Sequence, residues 1–321
     1  MIKRKQNKRA HAKTPFNVVF GVLLALLIIY TLFLIFSLGW SLLTSLKSPL
    51  DFEMNRNILG LPSTNADDPF NSVDALKFGN YSKIFSEFMI QMRQPFYRGS
   101  TLVTHSTKAT IPVMLMNTLL YVGGGALIYA IMPCFTAYLC AKYNYKLSAI
   151  IFVVYTFMLC APIVGAYPTE LTFLRDSGLY DSIFGNYVQK MTGSGMYFFV
   201  YFAYFKGMSN TYREAAELDG AGELTIMLRI YFPLAIKIIL TVFLIQFVAL
   251  WNDYQTPLLY LPTHPTLAYG VFYINTSLNQ TWYYIPYRMA ACVTLFVPIL
   301  IIFIAFRNKL MGDVSLGGIK E

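Results

Sequence analysis

Residues 16–43 run for 28 positions without a single charge, and nothing else restricts the possible folds of this chain as much. A helix rises about 1.5 Å per residue and satisfies its own backbone, so about 20 apolar residues suffice to cross the hydrocarbon core of a bilayer. Ahead of this run stand Lys3, Arg4, Lys5, Lys8, Arg9 and Lys13. A basic start before an apolar stretch also opens a secretory signal. This stretch is too long for that and lacks a small-residue cleavage site. The expectation is an uncleaved spanning helix with its N-terminus in the cytoplasm.

Further apolar stretches lie at 111–140, 147–167, 234–261 and 287–306. A shorter one at 194–208 reaches spanning length only by borrowing a turn from 183–188. Six spans place both termini on one side, and the basic residues agree. Lys142, Lys146, the basic residues of 206–237, Arg307, Lys309 and Lys320 fall inside with the N-terminal cluster, whereas the short outer loops carry Arg175, Lys190 and Arg288. Only 13% of residues are charged, against about a quarter in soluble domains. The net charge of +9 sits at the ends of apolar runs rather than in a patch, so it reads as topology and not as nucleic-acid binding. Cys134, Cys140, Cys160 and Cys292 fall in or beside apolar runs with no paired spacing, and His11, His105 and His264 are scattered. Buried free thiols are expected, with neither disulfide nor metal site.

The segment 47–110 is the largest stretch outside the membrane. Its Pro, Asn and Asp clusters, such as Leu61-Pro62-Ser63-Thr64-Asn65, are turn-forming, and its charges nearly balance. It reads as a small folded ectodomain or cap, with a flexible loop as the alternative. Pro133, Pro162 and Pro298 are placed to bend their spans. The run Gly123-Gly124-Gly125 would let another backbone approach closely.

Between the fourth and fifth spans, on the cytoplasmic side of this topology, lies Asn210-Thr211-Tyr212-Arg213-Glu214-Ala215-Ala216-Glu217-Leu218-Asp219-Gly220. Thr211 and Glu214 have capping-box spacing, which predicts a short helix from about Tyr212. Gly220 suits its end, since glycine adopts the left-handed conformation without strain. A second helix is expected over 223–231, with Pro233 resetting the chain for the next span. Helices this short are marginal alone, so the pair needs a surface to dock on.

Glu214-Ala215-Ala216, Gly220, Ile230 and Pro233 resemble the EAA loop of ABC importer permeases: EAA, three residues, Gly, nine residues, then Ile-x-Leu-Pro. Phe232 stands where that family usually has Leu, and Gly222 where a Ser commonly caps the second helix. Other segments resemble the maltose-type carbohydrate permeases in order along the chain: Asn80-Tyr81 to Phe85, Asn117-Thr118-Leu119, Ala137-Tyr138, Gly178-Leu179-Tyr180-Asp181, Trp251-Asn252-Asp253-Tyr254 with Pro257-Leu258, and Gly317-Gly318-Ile319-Lys320. The stretch between Phe85 and Asn117 is longer than in that group.

The resemblance implies an all-α polytopic protein with six transmembrane helices and the type I ABC importer permease fold. Residues 1–15 would be a cytoplasmic basic N-terminus, 16–46 the first helix and 47–110 extracytoplasmic. A five-helix core would occupy 111–307, with the coupling loop at 209–233 and a cytoplasmic tail at 308–321. It implies a bacterial inner-membrane subunit that imports a sugar. Its partners would be a second, non-identical permease, two ATPase subunits and an extracytoplasmic sugar-binding protein. Glu214 and Asp219 would make polar contacts with the ATPase, Ala215 and Ala216 would pack closely, and Gly220 would form the turn. For Glu217 and Glu223 a solvated face is the competing reading.

This chain has no G-x-x-x-x-G-K-[ST] phosphate cradle and no paired-carboxylate or Ser/His/Asp constellation. ATP and Mg would therefore be bound by a separate ATPase, with no cofactor here and no enzymatic role. Asn252 and Asp253 lie about fifteen residues past Lys237, or ~22 Å along a helix, so they belong to the outer part of the membrane. Polar groups there suggest function or partnering. With Trp251 and Tyr254 they could face sugar, but interhelical hydrogen bonding is the favoured reading; Asn117 and Gln246 are similar candidates. Two other functions stay open: a non-sugar cargo, and a polytopic membrane enzyme such as a lipid-linked transferase.

Overall fold

The computed structural model describes residues 16–54, 56–63, 76–98, 101–143, 145–161, 165–191, 195–276 and 281–311. The N-terminal basic cluster, Pro162 and the Gly317-Gly318-Ile319-Lys320 tail lie outside them. Two compact units emerge, Met1–Asn80 with Tyr284–Val293, and Tyr81–Tyr283 with Thr294–Glu321. The segment 47–110, expected from the sequence to be extracytoplasmic, is divided between these units at Asn80.

In the first unit, α1 (Phe16–Ser45) exposes its large apolar side chains on every face from Val19 to Phe36, as a helix bathed in lipid does. A π-helical turn at Leu50–Met54 follows. Lys47 is buried there and its ammonium donates to the carbonyls of Asn57 (2.6 Å) and Ile58 (3.2 Å). Asp51 accepts from the Asn57 side-chain amide (3.0 Å) and the Ser63 N–H (2.9 Å). Asn80 ties the loop back, donating to the carbonyls of Ser45 and Lys47. A cation and an anion thus hold the loop through its backbone groups, which need partners once buried.

The chain continues through α2 (Gly79–Glu87) into a β-hairpin, β1 (Met89–Arg98) and β2 (Thr101–Thr110), whose register runs from Met89 opposite Thr110 to Arg98 opposite Thr101. This hairpin is the extra length between Phe85 and Asn117. Ile90 and Met92 are buried between exposed Met89 and Gln91, and Ala109 opposite Ile90 is buried too, so the base of the hairpin has one inward face.

In the second unit, α3 (Ile111–Lys142) is the axis on which the other helices pack. It is followed by α4 (Lys146–Cys160), α5 (Ala166–Asp176), α6 (Ile183–Met191) and α7 (Gly195–Gly207). Next come α8 (Thr211–Leu218), α9 (Glu223–Ile226), a π-turn at Met227–Tyr231 and α10 (Phe232–Trp251). The order ends with α11 (Gln255–Tyr260), α12 (Leu267–Thr276) and α13 (Ile285–Met311), which begins in the first unit. Tyr138 of α3 packs edge-on against Phe205 of α7 (5.5 Å) and tilted against Tyr231 (5.2 Å). Ala130, Ala137 and Ala141 keep the facing side of α3 slim enough for these rings.

Several sequence expectations change. The apolar stretch 147–167 is not one helix: α4 stops at Cys160, where Ala161 is extended (φ −79°, ψ 121°), as a residue ahead of proline prefers. The helix within 234–261 ends at Trp251: the Asp253 carboxylate accepts from the Thr256 N–H and starts a new helix at Gln255, with Pro257 in its first turn, where a missing N–H is tolerated. Among the described residues four helical runs are long and apolar enough to cross a membrane: Val19–Ser45, Ile111–Lys142, Glu223–Trp251 and Ile285–Ala305. With 15 and 13 residues, α4 and α7 reach only ~22 and ~20 Å. Of the four cysteines Cys134 and Cys140 are buried as expected, whereas Cys160 is exposed and Cys292 half-buried. What approaches the glycine run is side chain, not backbone: a Cβ on Gly124 would lie 2.3 Å from the Tyr187 ring, and one on Gly125 would lie 3.0 Å from the Lys190 stem.

Candidate functional site

Between α7 and α10 the chain folds into a paired-helix loop. Gly220 takes a left-handed φ of 75°. Its N–H donates to the Glu217 carbonyl (3.0 Å) and the Ala221 N–H to the Ala216 carbonyl (2.9 Å), the two back-bonds of a Schellman cap. Glycine therefore ends α8 as its type suggests. The start differs. The helix begins at Thr211 with Asn210 as N-cap; the Asn210 side chain makes no cap bond, and the Ser209 hydroxyl accepts from the Thr211 N–H (3.2 Å). The Asn210 carbonyl accepts from the N–H groups of Arg213 and Glu214 (2.9 and 3.0 Å), while the Thr211 hydroxyl pairs with that of Ser209. Thr211 is already helical, so the capping box does not form.

The second helix also differs. From Glu223 the chain is helical through the π-turn into α10, with no break at Pro233. Proline lacks the N–H and crowds the carbonyl four residues back; a widened turn just ahead of it makes room. The loop's second arm is consequently the lower end of a spanning helix.

Ala216 is the buried side chain of α8 and joins the aromatic core with Ile226, Met227 and Tyr231. Ala215 is exposed. Together with Asp219, Ile230, Ser209 and Tyr212 the two alanines line an open groove of about 540 Å³. Glu214, Gly220 and Pro233 are exposed beside it. Leu218, at the tip, is 90% exposed, and Tyr212 and Leu224 are also exposed. Apolar side chains so far from the core mark a surface that suits a protein partner.

Sequence reading missed the groups that fasten this loop. Lys142, at the end of α3, donates to the Met208 carbonyl (2.7 Å) and the Asn210 side chain (3.1 Å). Arg213 pairs with Glu217 (2.6 Å) and Glu223 (2.7 Å). Tyr143 donates its hydroxyl to the other Glu223 oxygen. Burial first, and the Glu223 carboxylate second, push the Tyr143 phenol above its ordinary pKa, so it remains a donor. The i, i+4 spacing of Arg213 and Glu217 was legible; the partnership with Tyr143, 80 positions from Glu223, was not. Glu217 and Glu223 are half-exposed but paired, so the solvated-face reading describes them only in part.

The outer polar candidates are engaged within the protein. Trp251 is buried and its indole N–H donates to the Leu295 carbonyl (3.0 Å). Asp253 accepts from the Tyr121 hydroxyl (2.7 Å) and from the Thr256 N–H (3.1 Å), which starts α11. Tyr254 stacks on Phe272 at 4.4 Å. Asn117 donates to the Pro265 carbonyl (3.1 Å), and Asn252 to Val248 within its own helix. Gln246 is half-buried on α10. Asp253 also belongs to a buried cluster: Lys190, 3% exposed, lies over the Tyr121 ring (4.2 Å) and donates to Asn186 (2.5 Å). Glu170 closes the group through Gln189 and Tyr260.

In the second unit α7 and α10 pack on the slim face of α3 with a paired-helix loop between them, and the comparison with known families gives this arrangement its class, a membrane component of a transport system. Residues 110–311 match the family described as the binding-protein-dependent transport system inner membrane component, and the chain belongs to that family. Among its relatives are the probable starch degradation products transport system permease protein AmyC of Thermoanaerobacterium thermosulfurigenes, 27% identical over 64% of this chain and 74% of that protein. The diacetylchitobiose uptake system permease protein NgcG of Streptomyces coelicolor is 24% identical over 91% and 86%. The melibiose/raffinose/stachyose import permease protein MelC of Bacillus subtilis is 26% identical over 66% and 78%. A chain of a bacterial ABC transporter that imports the acidic polysaccharide alginate superposes with a TM-score of 0.69, covering 92% of this chain and 98% of that one at 20% identity. The fold is thus the type I ABC importer permease fold.

Proposed function

We propose that this chain is one permease subunit of a bacterial ABC importer that carries a sugar or oligosaccharide inward. The observation that carries the reading is the loop at 209–233. It is a Schellman-capped helix seated by Ala216 on the core, next to a groove and an exposed apolar tip. Such an element is made to receive force from a partner. Sugar cargo is supported by the relatives, whose names give starch products, diacetylchitobiose and raffinose-type sugars.

In this reading both termini and the loop are cytoplasmic. Two ATPase subunits bind ATP and Mg and dock on the loop, with Glu214 and Asp219 as polar contacts and Ala215 in close packing. Gly220 holds the turn. Six spans, α4 and α7 included, pair with those of a second, non-identical permease. When ATP draws the ATPase subunits together the loops are pulled, and the spans rock to face outward. An extracytoplasmic binding protein then delivers the sugar, and hydrolysis resets the cavity inward. Asp253 and Asn117 serve interhelical bonding here, since their polar atoms are already engaged.

The test is gentle purification of the tagged chain from its native host, with its partners identified by mass spectrometry. Stoichiometric recovery of a P-loop ATPase and a second permease is the expected result. Recovery of the chain alone, under conditions that preserve known complexes, would overturn it. A co-recovered binding protein that binds amino acids and no sugar would overturn the cargo.

A further inference from the structure

Of α8's eight residues Ala216 is the buried one, so the helix has little apolar burial to hold its direction. A rigid hand-off of force to the spanning helices needs another fastening. Arg213 supplies three contacts from one planar group. Its Nε binds Glu217 in the same helix, its Nη2 binds Glu223 across the Gly220 turn at 2.7 Å, and its Nη1 reaches the Lys142 carbonyl at 3.4 Å. The guanidinium carbon lies 4.7 Å from the centre of the Tyr143 ring. Tyr143 in turn donates to the second oxygen of Glu223. Arg213, Glu223 and Tyr143 therefore close a ring in which each group touches the other two. The Tyr145 ring stacks with that of Tyr143 at 5.9 Å and 7°.

We infer that Arg213 is a positioning residue for coupling: its ring with Glu223 and Tyr143 locks both arms of the loop to the end of α3, so that loop and spanning helix move as one. The inference rests on the proposed ATPase-coupled function. It differs from ATPase docking, because the ring faces this chain's own α3. Single exposed ion pairs do little. Here one guanidinium is shared among two helices and a third helix's end, and its planar fork cannot be reproduced by the point charge of lysine. The axis so engaged is α3, which at 32 residues spans ~48 Å and carries Tyr121, the partner of Asp253, on its far half.

The experiment compares the intact importer, reconstituted with its ATPase and binding protein in liposomes, carrying wild-type chain, Arg213→Lys, Arg213→Met or Glu223→Gln. ATP hydrolysis and sugar uptake are measured together. Expected are normal ATPase recovery and hydrolysis for Arg213→Met, with sugar moved per ATP falling about fivefold or more and the lysine variant falling between. The double variant Arg213→Met with Glu223→Gln should be no worse than the worse single, since both break one ring. Wild-type sugar per ATP in Arg213→Met would overturn the inference. Loss of ATPase recovery in that variant would also overturn it, by placing Arg213 in the docking contact instead. If the wild-type chain itself recovers no ATPase, the coupled function fails, and the inference with it.

Discussion

Gly220 and the two alanines before it show how differently neighbouring residues act in one loop. No atom lies within 4 Å of a Cβ built on Gly220, so a substitution there meets backbone strain alone. An ordinary L-residue at its φ of 75° costs about 1–2 kcal/mol, whereas asparagine enters that region readily. Gly220→Val should lower sugar uptake while leaving membrane abundance unchanged, and Gly220→Asn should retain most uptake. Equal uptake in the two would remove the turn from the mechanism. Ala216 is buried and Ala215 exposed. Ala216→Leu overpacks a dense site, for about 1–3 kcal/mol, and should lower the melting temperature of the purified subunit. Ala215→Leu should leave melting unchanged and weaken recovery of the ATPase. The EAA pattern made both alanines visible in the sequence, but only the packing tells which faces inward and which lines the groove.

At the scale of elements, α6 matters for what it inserts beneath α3. Lys190 passes Gly125 and reaches Tyr121, with Asp253 and Glu170 as the acids whose fields it feels. Lys190 and Asp253 meet through Tyr121 rather than in a direct ion pair, and leaving a buried polar group without its partner costs about 1–3 kcal/mol. Lys190→Met should therefore lower the thermal midpoint in detergent, and adding Asp253→Asn should restore part of it; no recovery would mean that the two charges are not coupled. The Trp-Asn-Asp motif drew attention to Asp253 from the sequence alone. Its partners Tyr121 and Lys190 lie 132 and 63 positions away and carry no local pattern, so the cluster was not legible. Helix ends were misread for a related reason. Hydropathy does not mark the break at Ala161, set by the proline after it, or the one at Asn252, set by Asp253 starting the next helix.

For the whole molecule, orientation is the property to check. A cysteine at Leu218, the most exposed apolar residue of the loop, and one at Tyr283, just ahead of α13, should label from opposite sides. The background should lack native cysteines, since Cys160 is exposed. An impermeant thiol reagent added to intact spheroplasts is expected to reach Tyr283→Cys alone. Labelling of Leu218→Cys under those conditions would reverse the topology, and with it the cytoplasmic loop.

By itself the sequence determined the solvent, the number and rough place of the apolar runs, and the loop motif that names the family. These depend on composition, length and residue type within a window of some twenty positions, and a bilayer reads the same local quantities. Tertiary structure alone decided the hairpin's inward face, the splitting of 147–167, the clasp of Arg213 on Tyr143 and the burial of Lys190 beside Asp253. Each is a meeting of residues far apart in the chain, selected by packing and by the need of buried polar groups for partners, and no local window contains both members of such a pair.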